Sequence, residues 1–173
     1  MKGVIADCLG KLVTHQFGKG KWEESLEAAG LPRDTSFLAT QDIPDEAVLK
    51  VVESVCKVLG ITHQQAADAF GEYWMTSYAP KIYGVYFRQA QSAKEFLLKM
   101  DEVHRITTEN ISNAHPPRFS YDWENDKTLI MTYHSDRGLI EFQIGLIKGV
   151  GKYFDENIKV RNLGEDKVQI QFQ

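Results

Sequence analysis

No apolar run in the 173 residues is long enough to cross a bilayer, and the opening Met1-Lys2-Gly3-Val4-Ile5 meets Asp7 early, unlike a signal peptide. These absences argue against a membrane partner and lead to the expectation of a cytoplasmic protein. No block of one charge occurs: 20 Lys and Arg against 24 Asp and Glu leave a formal charge of -4, which gives nucleic acid nothing to bind. Cysteine is scarce. Cys8 and Cys56 lie on apolar, helix-like stretches with no second Cys or His at zinc-ligand spacing, so a disulfide framework and a structural zinc are both excluded. A glycine-rich phosphate loop, internal repeats and low-complexity segments are missing too. What is present is 43% apolar residues, enough for one sizeable core.

The spacing of those apolar residues predicts helices over the first two thirds of the chain. Val4, Ile5, Cys8, Leu9, Leu12, Val13 and Phe17 line one face of an opening helix that stops near Gly18. A short helix from about Trp22 to Ala29 ends at Gly30, and Leu31 to Gln41 reads as loop. Pro44, Asp45 and Glu46 suit the first turn of a helix reaching Gly60, and Thr62 to Gln65 forms a capping box for the next, which should lose regularity before Pro80. Ser92 to Glu95 is a second capping box, opening one helix that carries Phe96, Leu97, Met100, Val103 and His104. After Pro116-Pro117 the pattern alternates, predicting a hairpin of Arg118 to Glu124 and Thr128 to Ser135 around Asn125-Asp126. A helix over Gly138 to Phe154 and two closing strands complete an α+β order.

Two groups of residues invite chemistry. His104 follows Met100 by one helical turn, on the apolar side away from Lys99, Asp101 and Glu102. An imidazole so placed is either a core histidine bonded to a carbonyl or an iron ligand facing an apolar cavity. Tyr133, Ser135 and Arg137 alternate with His134 and Asp136, so on a strand they share a face. Two hydroxyls and a guanidinium there are either ordinary polar groups at a strand end or a cradle for carboxylates.

In order and spacing, Asp101-Glu102-Val103-His104, Pro116-Pro117-Arg118-Phe119 and Tyr133-x-Ser135-x-Arg137 closely resemble the H-NOX family, haem nitric-oxide/oxygen-binding domains related to the sensor part of soluble guanylate cyclase. The likeness runs from Met1-Lys2-Gly3 through Phe70-Gly71-Glu72-Tyr73-Trp74 to Gly145-Leu146 and the closing strands. It implies one domain over 1–173, with an N-terminal helical part (about 1–62) packed on a sheet-plus-helices part (about 63–173) and haem b between them. It implies His104 as the proximal iron ligand and Tyr133, Ser135 and Arg137 on the propionates. Ile5 and Pro117 match positions that press on the porphyrin, and Leu9, Trp74, Tyr78, Phe142 and Leu146 match other positions of the haem pocket. Gly71 matches a hinge position, whereas its plain reading is a weak point in a helix; Gly145 and Gly149 most simply permit close packing.

Family members that hold oxygen place a tyrosine where this chain has Phe142, so the resemblance implies a sensor of nitric oxide, also binding carbon monoxide and discriminating against oxygen. Trp74 and Tyr78 carry polar tips that leave a substitute donor open. The implied partner is a histidine kinase or a cyclic-dinucleotide signalling protein. A haem enzyme would need distal acid–base groups where Phe142, Leu9 and Ile5 stand. An oxygen or redox sensor and a haem-free interaction module are the other readings.

Overall fold

The computed structural model describes residues 1–109, 111 and 114–173, in two compact units, Met1–Ala66 and Ala67–Gln173. In the first unit, helices α1 (Gly3–Phe17), α2 (Lys19–Ala28) and α3 (Asp45–Leu59) pack together. Their buried faces are those of the apolar pattern: Cys8, Leu9, Leu12 and Val13 on α1, Leu26 on α2, and Val48, Val51 and Val55 on α3. Gly10 lets α1 meet the indole of Trp22, which a Cβ there would approach to 2.9 Å. α3 stops at Gly60 in the left-handed region, φ 64°, where glycine carries no steric penalty. Thr62 and Gln65 then exchange the two bonds of a capping box, Gln65 N to Thr62 Oγ1 at 3.1 Å and Thr62 N to Gln65 Oε1 at 2.9 Å, opening α4 (His63–Tyr73).

The second unit begins within α4. The expected irregularity before Pro80 is a π-helical turn, Trp74–Tyr78, and beyond it α5 (Ala79–Arg88) continues with a local kink at Tyr83. The sequence pattern did not disclose α5. Pro80 sits in its first turn, where a missing N–H costs no helical bond, so this proline starts a helix instead of ending one. The single helix expected after Ser92 is two: α6 (Ala93–Leu98) and α7 (Met100–Thr108), parted at Lys99. Ser92 caps α6 as predicted, accepting from Glu95 N at 3.1 Å.

Strands β1 (Arg118–Asn125), β2 (Thr128–His134), β3 (Lys159–Gly164) and β4 (Lys167–Gln171) form an antiparallel sheet in the order β1-β2-β4-β3, with α8 (Ile140–Tyr153) between β2 and β3 in sequence. One sheet face supplies Phe119, Leu129, Met131, Tyr133, Val168 and Ile170 to a core completed by Phe96 and Leu97 of α6 and Ile144, Ile147 and Val150 of α8. α4 and α8 cross backbone to backbone. A Cβ on Gly71 would lie 2.1 Å from the Gly145 carbonyl, and one on Gly149 would lie 2.2 Å from the Gly71 oxygen. Gly145 and Gly149 therefore do permit close packing, and Gly71 is a contact point, more than a weak point in its helix. Two ion pairs flank the crossing: Lys148 Nζ reaches both Asp68 oxygens at 2.9 Å, and Lys152 pairs with Glu72.

Candidate functional site

The first candidate is His104, which α7 and the loop before β1 position together. Its Nδ1 lies 3.0 Å from the Pro117 carbonyl oxygen. A carbonyl only accepts, so Nδ1 carries the proton and the neutral ring keeps its lone pair on Nε2. The residue is half-buried, and neighbouring atoms desolvate the ring enough to hold its pKa below the ordinary histidine value, which favours that neutral form. Both readings of His104 made from sequence are thus satisfied at different nitrogens: one bonds a carbonyl, and the other can ligate a metal.

α7 is strongly amphipathic in sequence, yet none of its residues is buried. Met100, Val103 and His104 remain half-buried on its apolar side. What fastens the helix is polar. Asp101 receives Arg118 Nε at 2.7 Å and Nη2 at 2.5 Å, and its Oδ1 also accepts the Phe119 amide at 2.8 Å. The hydrogen bond from Arg118 leads the effects that hold the Asp101 carboxyl down at about 2. Tyr121 donates its hydroxyl to the Leu97 carbonyl at 2.9 Å and accepts the Asp101 amide at 3.3 Å, spanning the break between α6 and α7. Burial pushes the Tyr121 phenol up to about 12. Sequence reading missed these residues, because opposite charges on a helix and a later strand carry no local signal that they pair.

Phe119 connects this corner to the second group. Its ring centroid lies 5.2 Å from that of His104 and 6.2 Å from that of Tyr133, its partner across the β1–β2 ladder. β2 ends at His134, so strand alternation places Tyr133 alone; Ser135 lies past the strand and Arg137 in a turn. The turn nevertheless brings the last two together. Arg137 N donates to Ser135 Oγ at 3.4 Å, and burial still alternates, with His134 and Asp136 exposed while Ser135 and Arg137 are half-buried. Arg137 Nη1 donates to the His115 carbonyl at 2.5 Å, which uses one of the five N–H donors of a guanidinium. Residues 115–117 thus touch both the arginine and the histidine.

Trp74, Tyr78 and Phe142 also come together. Phe70 meets Phe142 edge-on at 5.5 Å and Trp74 in a stack at 5.7 Å, and Trp74 stacks on Tyr78 at 5.4 Å. Tyr78 is buried, whereas Trp74, Phe142 and Leu146 are half-buried, with Trp74 and Leu146 against the same core as His104's neighbour Phe119. Ile5, half-buried, and Leu9, buried, lie on α1 of the first unit. The donor set fits haem: an imidazole with Nε2 as its basic nitrogen, half-buried apolar side chains, and a Tyr–Ser–Arg group suited to carboxylates. Among the described residues no group of three or more His, Cys, Asp or Glu could hold a bare metal ion.

Fold and donor set together define a haem-binding gas-sensor domain, not a catalyst. The chain matches the haem-NO-binding family over residues 2–162 and belongs to it. It is 25% identical over 171 residues to soluble guanylate cyclase gcy-35 and 27% identical over 164 residues to gcy-32, both of Caenorhabditis elegans. Those alignments cover 96% and 91% of this chain but 25% and 24% of the cyclases, so the chain spans about a quarter of the length of the curated relatives it matches. The crystal structure of an oxygen-binding H-NOX domain related to soluble guanylate cyclases, in its oxygen complex, superposes with a TM-score of 0.85 at 29% identity, covering 100% of this chain and 95% of that one. No helix among the described residues is long and apolar enough to cross a membrane.

Proposed function

We propose that this chain holds haem b through His104 Nε2, with Tyr133, Ser135 and Arg137 on the propionates, and reports nitric oxide to a separate signalling protein. The observation that carries the reading is the Nδ1 bond of His104 to Pro117 O, because it protonates the other nitrogen and leaves Nε2 as the basic one. When bound, the haem supplies an iron with an open position for a diatomic gas. The chain's own residues do the rest. Pro117 and Phe119 fix the imidazole plane, and the Ser135–Arg137 turn presents hydroxyl and guanidinium N–H groups to carboxylates. Ile5, Leu9, Leu146 and Pro117 complete an apolar enclosure that excludes water.

Selectivity follows from position 142. Bound oxygen takes on negative character and gains from a donor, whereas nitric oxide and carbon monoxide need one far less. Phe142 offers none, and its ring is occupied against Phe70. This supports a sensor that takes nitric oxide and carbon monoxide and discriminates against oxygen, in contrast to the related domain with an oxygen complex. Its partner is a histidine kinase or a cyclic-dinucleotide enzyme in the cytoplasm, and by linkage that partner must alter gas affinity as much as the gas alters partner affinity.

The test is absorption spectroscopy of the anaerobic ferrous protein, alone and then with nitric oxide, carbon monoxide and air. Nitric oxide and carbon monoxide should each shift the haem band, and air should leave no stable oxygen complex. His104→Ala should lose haem unless free imidazole is supplied. A stable oxygen complex overturns the selectivity, and full haem retention by His104→Ala without imidazole overturns the ligand.

A further inference from the structure

The corner around Asp101 holds more polar contacts than fastening a helix to a sheet requires, and they converge on one backbone segment. His104 takes its orientation from the Pro117 carbonyl. Proline fixes its own φ but leaves ψ free, so the direction of that carbonyl is set by what holds residues 118 and 119. Asp101 holds both: its two oxygens clasp the Arg118 guanidinium, and Oδ1 also takes the Phe119 amide. Asp101 and His104 are three apart on α7, hence on neighbouring faces of one turn, and both meet the 117–119 segment. Tyr121 fixes Asp101 in turn. Its hydroxyl satisfies the Leu97 carbonyl and the Asp101 amide, two groups that the break at Lys99 takes out of a continuous helix.

We infer that Asp101 is a positioning residue for His104: by pinning Arg118 and the Phe119 amide it fixes the Pro117 carbonyl, and so the orientation and basicity of the imidazole. The inference rests on His104 as the iron ligand. A clamp that only attached α7 to β1 would affect stability alone. A clamp that acts through the imidazole affects the iron–histidine bond, because a ligand's outer hydrogen-bond partner tunes both its hold and its basicity.

The experiment uses the full chain loaded with haem. Haem affinity is measured by competition with haem-free myoglobin, the iron–histidine stretch by resonance Raman of the ferrous protein, and the melting temperature on haem-free protein. Asp101→Asn should weaken haem affinity roughly tenfold and lower the stretching frequency, and Tyr121→Phe should do both to a smaller extent. In a His104→Ala background the Asp101 substitution should cost no further affinity, since it acts through the residue already removed. An unchanged stretch with a lowered melting temperature in both variants overturns the inference, and so does an affinity loss that adds in full to that of His104→Ala. Unaltered haem affinity in His104→Ala alone is a different result, one that removes the ligand reading and the inference with it.

Discussion

α6 and α7 follow one another across a single break, and they are held in opposite ways. α6 buries Ala93, Phe96 and Leu97 in the core of the second unit, with Phe96 and Leu97 at 3% and 2% exposure. α7 buries none of its residues and is tied down at its first turn by a carboxylate, a guanidinium, a phenol and a carbonyl. Burial is insensitive to direction, so it anchors; hydrogen bonds are directional, so they orient. A helix that must present one nitrogen at one angle is better served by the second kind of hold.

Deep truncation on the buried side should give the largest effect. Phe96→Ala should destabilise the haem-free protein by about 3–5 kcal/mol in denaturant unfolding, while Val103→Ala on α7 should cost no more than about 1 kcal/mol. Equal losses would mean that α7 is anchored by packing after all. The glycine crossing of α4 and α8 belongs with the packed elements, so Gly71→Ala should cost about 1–3 kcal/mol in the same assay, because its methyl meets backbone that cannot rotate away. A neutral result would show that the two helices can separate without penalty.

The polar hold on α7 should reveal itself in acid. The Asp101 carboxyl lies at about 2 in the fold against an ordinary 3.8, so its contribution is complete above 3.8 and is lost as pH falls toward 2. Wild-type stability should drop across that window more steeply than that of Asp101→Asn, as followed by unfolding at stepped pH; parallel curves would deny the pairing its role. The smallest effect is expected at the exposed ion pair beside the glycines, where Lys152→Ala should change stability by less than about 1 kcal/mol and salt should erase the difference.

The sequence made legible whatever depends on local periodicity or on near neighbours. The buried face of α1, the Thr62–Gln65 box, the β1–β2 hairpin and α8 follow from spacing and capping chemistry that operate within a few residues. Non-local effects were hidden. The break at Lys99 has no glycine or proline to mark it; it is accommodated by Tyr121, which reaches the Leu97 carbonyl from 24 residues away in sequence. α5 escaped notice because Pro80 reads as a stop when it follows a helix and as a start when it precedes one. Tyr133, Ser135 and Arg137 were grouped on the strength of strand alternation, yet it is a hydroxyl-to-amide turn that brings Ser135 and Arg137 together. His104 was singled out correctly as an imidazole needing a partner, but only the fold names Pro117 as that partner.

The π-helical turn at Trp74–Tyr78 has a consequence for chain length. A π turn closes each ring with one residue more than an α turn, so the same segment can be spanned by one residue fewer. Deleting Thr76, which is exposed, should let the segment relax to α-helix and rotate everything beyond it by roughly 100° about the helix axis. Ala79 and Phe87, now 1% and 5% exposed, would then swing toward solvent, and Pro80 would arrive at a different point on the cylinder. The segment from Trp74 to Tyr78 is therefore one where substitution is cheap and a change of length is not. A lineage that lost one residue here would have to rebuild the whole buried face of α5, whereas one that exchanged Thr76 for another polar residue would rebuild nothing.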